Sequence, residues 1–170
     1  MNEEIEYHVG RILILLHAMA PGGGVMRGLT KLVKLDFLLR YPGFLDRLLT
    51  ARKLAWPVGT EPTESERRAV ESPMIRYKYG PWDDRYYPIL GYLSGTQLAE
   101  VLKVNGVITI RLTERGRAAA KQLAEDPNWS RVRERAVLLR QHFDLSGNAL
   151  KESIYRELPD AVDRAHRTTI

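Results

Sequence analysis

The stretch Val104-Asn105-Gly106-Val107-Ile108-Thr109-Ile110-Arg111-Leu112-Thr113-Glu114-Arg115-Gly116-Arg117 decides how the fold is read. Asn105-Gly106 is the strongest turn signal in the chain, because both residues tolerate positive φ. The β-branched run at 107–112 reads as a strand. Thr113 suits an N-cap, and 118–124 reads as the body of the helix that follows. Ahead of the turn, 97–103 reads as a short helix.

Upstream, residues 3–19 read as a helix. Ile5, Val9, Ile12, Leu13, Leu16 and Met19 form an apolar stripe at helical spacing, and glutamates in the first turn suit the helix dipole. Pro21-Gly22-Gly23-Gly24 ends it as a flexible connector. It lacks the Gly-Lys-Ser/Thr that a phosphate-binding loop needs. Residues 27–40 read as a second helix, apolar over more than half its circumference and therefore central. Tyr41-Pro42-Gly43 breaks it, and 44–53 reads as a third helix. Residues 57–72 carry Pro57, Gly59, Pro62 and three glutamates, which reads as an exposed loop with a helical turn near 64–70.

Residues 74–79 alternate, with Ile75, Tyr77 and Tyr79 on one face and Arg76 and Lys78 on the other. That pattern reads as a half-exposed strand stopped by Gly80-Pro81. Asp83 or Asp84 can cap a helix that runs to about residue 93. Further helices are expected at 129–143 and 149–156. The chain is therefore expected to be mainly α with a small β-ribbon.

The sequence has 170 residues, 44% hydrophobic and 28% charged, which suits one compact domain or two small lobes. Lys plus Arg exceed Asp plus Glu by 26 to 21, a net charge of +5 that permits a nucleic-acid partner without demanding one. Cysteine is absent, which excludes disulfides, thiolate catalysis and Cys-ligated metal. The apolar run at 12–16 is far short of a membrane span, and the glutamates before it stand where a signal peptide would be positive. The chain is read as mature, soluble and cytoplasmic.

The chemistry-bearing residues do not assemble into a catalytic pattern. His8, His17, His142 and His166 show no metal-ligand spacing, and no nucleophile elbow is present. Asp83-Asp84 suits capping better than cation binding. The expectation is a protein that is not an enzyme, with no cofactor, no metal and no catalytic residue. Arg76 and Lys78 either track phosphates or are simply solvated while the neighbouring rings pack inward. Arg111, Arg115 and Arg117 surround the end of the 107–112 strand, where phosphate contact and plain solubility are equally good readings.

The 97–124 segment, with its Leu112-Thr113-Glu114-Arg115-Gly116-Arg117 junction, resembles the second half of a winged helix as found in many bacterial regulators. A winged-helix-like α+β domain with flanking helices is thus expected. Four parts follow: an N-terminal helical part at 1–54, an exposed linker at 55–73, a winged-helix-like part at 74–125, and C-terminal helices at 126–170 that pack on the same core. A wider resemblance covers most of 29–117. Leu29-Thr30-Lys31-Leu32-Val33-Lys34-Leu35-Asp36-Phe37-Leu38-Leu39-Arg40-Tyr41-Pro42 resembles a helix of the middle components of bacterial ABC-three-component systems. Tyr77-Lys78-Tyr79-Gly80-Pro81-Trp82-Asp83 resembles a second block of the same proteins. The pattern is also similar to Panacea-type antitoxins.

Those middle components are encoded between an effector and an SMC-like ATPase, and the best-known systems are anti-phage and anti-plasmid defences of the Lamassu type. The resemblance implies a non-enzymatic accessory subunit that bridges the ATPase, the effector and double-stranded DNA. Trp82, Tyr86 and Tyr87 are the candidate aromatic anchors for a partner, together with Lys31 and Lys34. Arg76, Lys78, Arg111, Arg115 and Arg117 are the candidate DNA contacts. The alternative is a free-standing winged-helix DNA-binding regulator or antitoxin.

Overall fold

The computed structural model describes residues 3–68 and 84–158, together with the backbone of 75–77 and 80–82. In chain order the elements are α1 (Glu3–Met19), β1 (Met26–Arg27), α2 (Leu29–Arg40), α3 (Pro42–Ala51), α4 (Glu64–Arg68), β2 (Ile75–Tyr77) and β3 (Gly80–Trp82). They continue with α5 (Tyr86–Gly95), β4 (Ala99–Val104), β5 (Val107–Leu112), α6 (Glu114–Glu125), a 3-10 turn at Pro127–Trp129, α7 (Ser130–His142) and α8 (Gly147–Glu157). The fold is mainly helical with a small antiparallel sheet. No described helix is long and apolar enough to cross a membrane.

The chain forms two compact units, each discontinuous in sequence: Met1–Leu29 with Asp84–Asp144, and Thr30–Asp83 with Leu145–Ile170. In the first unit α1 packs against α6 and α7 and also meets α5 and β5. Its stripe (Val9, Ile12, Leu13, Leu16 and Met19) is buried as its periodicity requires. The three-stranded sheet has the order β1-β5-β4. A helix followed by a hairpin whose return strand lies centrally, beside a short earlier strand, is the layout of a winged helix.

Two readings of this unit are corrected. Residues 99–104 form strand β4 rather than a helix, paired from Ala99↔Leu112 to Val104↔Val107. Asn105 and Gly106 have φ of 51° and 79°, the geometry of a two-residue hairpin turn, and such a turn requires a strand on both sides. Met26 and Arg27 pair with Ile110 and Thr109 as β1, so α2 starts at Leu29, two residues later than expected. Helix α5 starts at Tyr86 with Arg85 at its N-cap position, and Asp83 lies outside the described residues.

The junction after β5 follows the sequence closely. Thr113 is the N-cap of α6, its Oγ1 accepting from the Gly116 N–H at 3.0 Å and donating to the Gln97 carbonyl at 2.6 Å. The hydroxyl thus ties the helix start to the chain just ahead of β4.

In the second unit nine consecutive residues of α2, Leu32 to Arg40, are buried, the charged Lys34, Asp36 and Arg40 among them. Phe37, Tyr41 and Phe44 cluster with ring centroids 5.2–5.8 Å apart. Pro42 opens α3 at a first-turn position where its missing N–H costs nothing, so the expected break is also a helix start. Helix α3 packs on α4 and α8. Asp46 on α3 accepts from the Trp56 indole at 2.7 Å and from Arg67 at 3.2 Å, which pins the 55–68 segment to α3. Ser146 caps α8 through the Ala149 N–H, so the last helix starts at Gly147, two residues earlier than expected. Gly80 to Trp82 does not merely stop β2. It returns antiparallel, with Ile75 opposite Trp82 and Tyr77 opposite Gly80.

Candidate partner interface

Helix α5 occupies the place before the hairpin that a recognition helix takes in a winged helix. Its sequence Tyr86-Tyr87-Pro88-Ile89-Leu90-Gly91-Tyr92-Leu93-Ser94-Gly95 contains no Lys or Arg. Tyr86, Ile89, Leu90 and Leu93 are buried. Tyr87, 57% exposed, and Tyr92, 37% exposed, stand at the two edges of the solvent side, about 140° apart around the helix, with Gly91 and Gly95 in the arc between them. A Cβ at either glycine would meet nothing within 4 Å, so the face is small-residue and open around two rings. Reading base edges in a major groove relies on Arg, Lys, Asn or Gln donors, and phosphate contact relies mainly on cations. This helix offers two phenols, one serine and backbone instead. Tyr92 also borders a groove of about 280 Å³ walled by Val9, Leu13, Leu98, Leu123 and Trp129. Aromatic rings beside an apolar recess form the usual anchor of a protein–protein contact.

Of the expected partner anchors, Tyr87 is on this face. Tyr86 is not, because it is 1% exposed and belongs to the core. Trp82 lies in β3, opposite Ile75, and its side chain is outside the described residues. Lys31 is half-buried on α2. Lys34 is 2% exposed and so cannot be offered to a partner from this conformation. Its ammonium is pushed down to about 7, first by burial and then by repulsion from Lys151.

Of the expected DNA contacts, Arg111, Arg115 and Arg117 belong to the first unit. Arg111 stands on the outer face of the sheet in an ion pair with Glu100, its cross-strand neighbour. Arg117 donates to the Leu112 carbonyl at 2.9 Å, which satisfies the end of β5. Arg115 is exposed in the first turn of α6. Arg76 lies in β2, opposite Pro81, with its side chain outside the described residues, and Lys78 lies outside them altogether. Two of the three hairpin arginines thus already have intramolecular acceptors.

The buried histidine of α1 has a structural setting. The Arg11 guanidinium approaches His8 Nδ1 at 2.6 Å, so Nδ1 accepts and the ring proton sits on Nε2, which faces Glu4 Oε1 at 3.8 Å. Glu4 in turn pairs with Arg85 at the start of α5. No group of three or more His, Asp or Glu among the described residues could hold a metal ion.

A second exposed apolar surface went unread in the sequence. Val25, Leu102, Val104 and Val107 are 36–58% exposed on the outer face of the sheet. The signal was the Asn105-Gly106 turn, which demands a strand on each side and so sets Leu102, Val104 and Val107 on one face. Compared with known proteins, the chain matches no family model, no curated protein and no solved structure.

Proposed function

We propose that this chain is a non-enzymatic accessory subunit of an SMC-like ATPase complex in bacterial anti-phage and anti-plasmid defence, and that it bridges the ATPase to an effector. The observation that carries the reading is the cation-free solvent side of α5, edged by Tyr87 and Tyr92, in the place where a winged helix would read DNA. A helix with that surface gains little from a polyanion and much from an apolar recess on another protein. The resemblance of 29–42 and 77–83 to ABC-three-component middle components supplies the identity of the partner. Arg115, Arg76 and Lys78 are then auxiliary contacts to DNA already held by the ATPase.

The test is co-expression with the SMC-like ATPase of the same operon, followed by size exclusion. Co-elution supports the reading, and separate elution contradicts it. The winged-helix sheet order favours one competing reading, a free-standing regulator or antitoxin. That reading requires the isolated chain to shift an operator duplex at nanomolar concentration with a steep salt dependence.

A further inference from the structure

In the sheet order β1-β5-β4, strand β4 is an edge. The hydrogen-bond alternation of the hairpin fixes which of its backbone groups face outward. The Thr113 N–H donates to the Leu98 carbonyl at 3.1 Å. With the observed register, backbone bonding toward β5 then falls on Glu100, Leu102 and Val104. The N–H and C=O groups of Ala99, Val101 and Lys103 point the other way. Among the described residues these groups meet no partner. A groove of about 840 Å³ is lined by Ala99 to Leu102 of β4, by Thr113 and by Glu114, Arg115 and Ala118 of α6, so the strand borders open space. On the outer face the edge carries Leu102, 58% exposed, and Val104, 44% exposed. A long edge with open backbone and exposed apolar side chains is a template for strand addition.

We propose that β4 pairs antiparallel with β4 of a second copy about a twofold axis, joining two three-stranded sheets into one of six strands. The side chains select the register. A pairing centred on Glu100 sets Glu100 against Glu100, and one centred on Lys103 sets Lys103 against Lys103, both of them like-charge oppositions. One centred on Leu102 places Ala99 opposite Asn105, which is in the turn and cannot continue a ladder. Centring on Val101 pairs Ala99 with Lys103, Val101 with Val101 and Lys103 with Ala99, so all three outward backbone positions are used. No like charges then oppose each other. Leu102 lies across from the stem of Glu100 and diagonal to Leu102 of the second copy, within reach of a long side chain. The edge is therefore self-complementary, as a twofold interface must be. The pairing stands independently of the ATPase reading, because it concerns the chain alone.

The absence of cysteine makes the register directly readable. In the Val101→Cys variant the two Cα atoms would lie about 5.5 Å apart, inside the range a disulfide spans. Mild oxidation should give a covalent dimer at least tenfold faster than in Lys103→Cys. Sedimentation equilibrium of the wild-type chain should show a concentration-dependent dimer. Val101→Pro removes an outward N–H while leaving the bonds to β5 intact, and it should be monomeric. Leu102→Glu, a surface change that sets a new carboxylate against Glu100 of the second copy, should be monomeric as well, and it keeps the test sound if the proline variant folds poorly. A wild-type chain that stays monomeric to millimolar concentration would overturn the proposal. So would a dimer indifferent to both variants, or cross-linking no faster at 101 than at 103. A monomer that loses the ATPase on Val101→Pro would also overturn it, because the edge would then belong to a partner strand.

Discussion

Gly116 lies directly on the Leu98 carbonyl: a Cβ built on Gly116 would come 1.8 Å from that oxygen and 2.8 Å from its carbon. The same carbonyl accepts from the Thr113 N–H. The Leu-Thr-Glu-x-Gly junction is thus a packing device. Thr113 caps α6, and the missing side chain at 116 lets the helix settle on the start of β4. Gly116→Ala must push the helix off this backbone, and backbone cannot swing aside. The expected loss is about 3 kcal/mol, measured by urea unfolding, with Arg115→Ala in the same helix turn costing less than about 0.5 kcal/mol.

Gly10 stands in a similar relation to Trp129, where a Cβ would meet the indole at 2.7 Å. The indole also stacks on Tyr7 at 5.2 Å. Gly10→Ala should cost about 1–3 kcal/mol by overpacking. Because the clash is with a side chain, the penalty should shrink in a Trp129→Leu background. A double-mutant cycle by thermal unfolding should show a coupling of about 1 kcal/mol or more, and simple additivity would contradict the contact.

Lys34 gives the stability a readable pH dependence. Its pKa is about 7 in the folded chain against 10.5 for the ordinary group. Between those values the unfolded chain holds a proton that the folded chain has shed, so stability rises with pH across the window. Below about pH 7 both states are protonated and the burial cost is present in full. The slope from this residue is at most about 1.4 kcal/mol per pH unit. Lys34→Met should remove that slope, seen as the wild-type minus variant difference in unfolding free energy from pH 7 to 10. Lys151→Gln should narrow the window by lifting the Lys34 pKa, because it deletes the repelling charge.

The isolated chain should bind duplex DNA only at the non-specific level, with a Kd of about 10⁻⁴–10⁻⁶ M at physiological salt. Arg76→Glu with Lys78→Glu should leave the circular dichroism unchanged and lower that weak affinity and its salt slope. Sequence-specific nanomolar binding in a gel-shift assay would favour the regulator reading instead.

The sequence carried most of the helical frame. The stripe marks α1 as far as its end at Met19, and Thr113 announces the cap of α6. Strand β4 escaped because Ala99, Glu100, Leu102 and Lys103 are good helix formers in isolation. The hairpin partner overrode their propensity, and Asn105-Gly106 already demanded a strand on each side. Strand β1 is two residues long and leaves no periodicity to detect. The adjacent tyrosines at 86 and 87 show the limit for the site. Both read as anchors, but helical geometry turns one into the core and the other outward. Tyr92 stands at the other edge of the solvent side and was legible only once the inward face was known.

The most direct test is the affinity of the purified chain for the SMC-like ATPase, compared with that of a Tyr87→Ala/Tyr92→Ala variant by isothermal titration calorimetry. If α5 is the docking face, removing two rings should cost about 2 kcal/mol or more, a weakening of roughly thirtyfold or greater, while the far-ultraviolet circular dichroism and melting curve stay those of the wild type. A wild-type chain with no measurable binding, or a variant that binds as tightly as the wild type, would contradict the account.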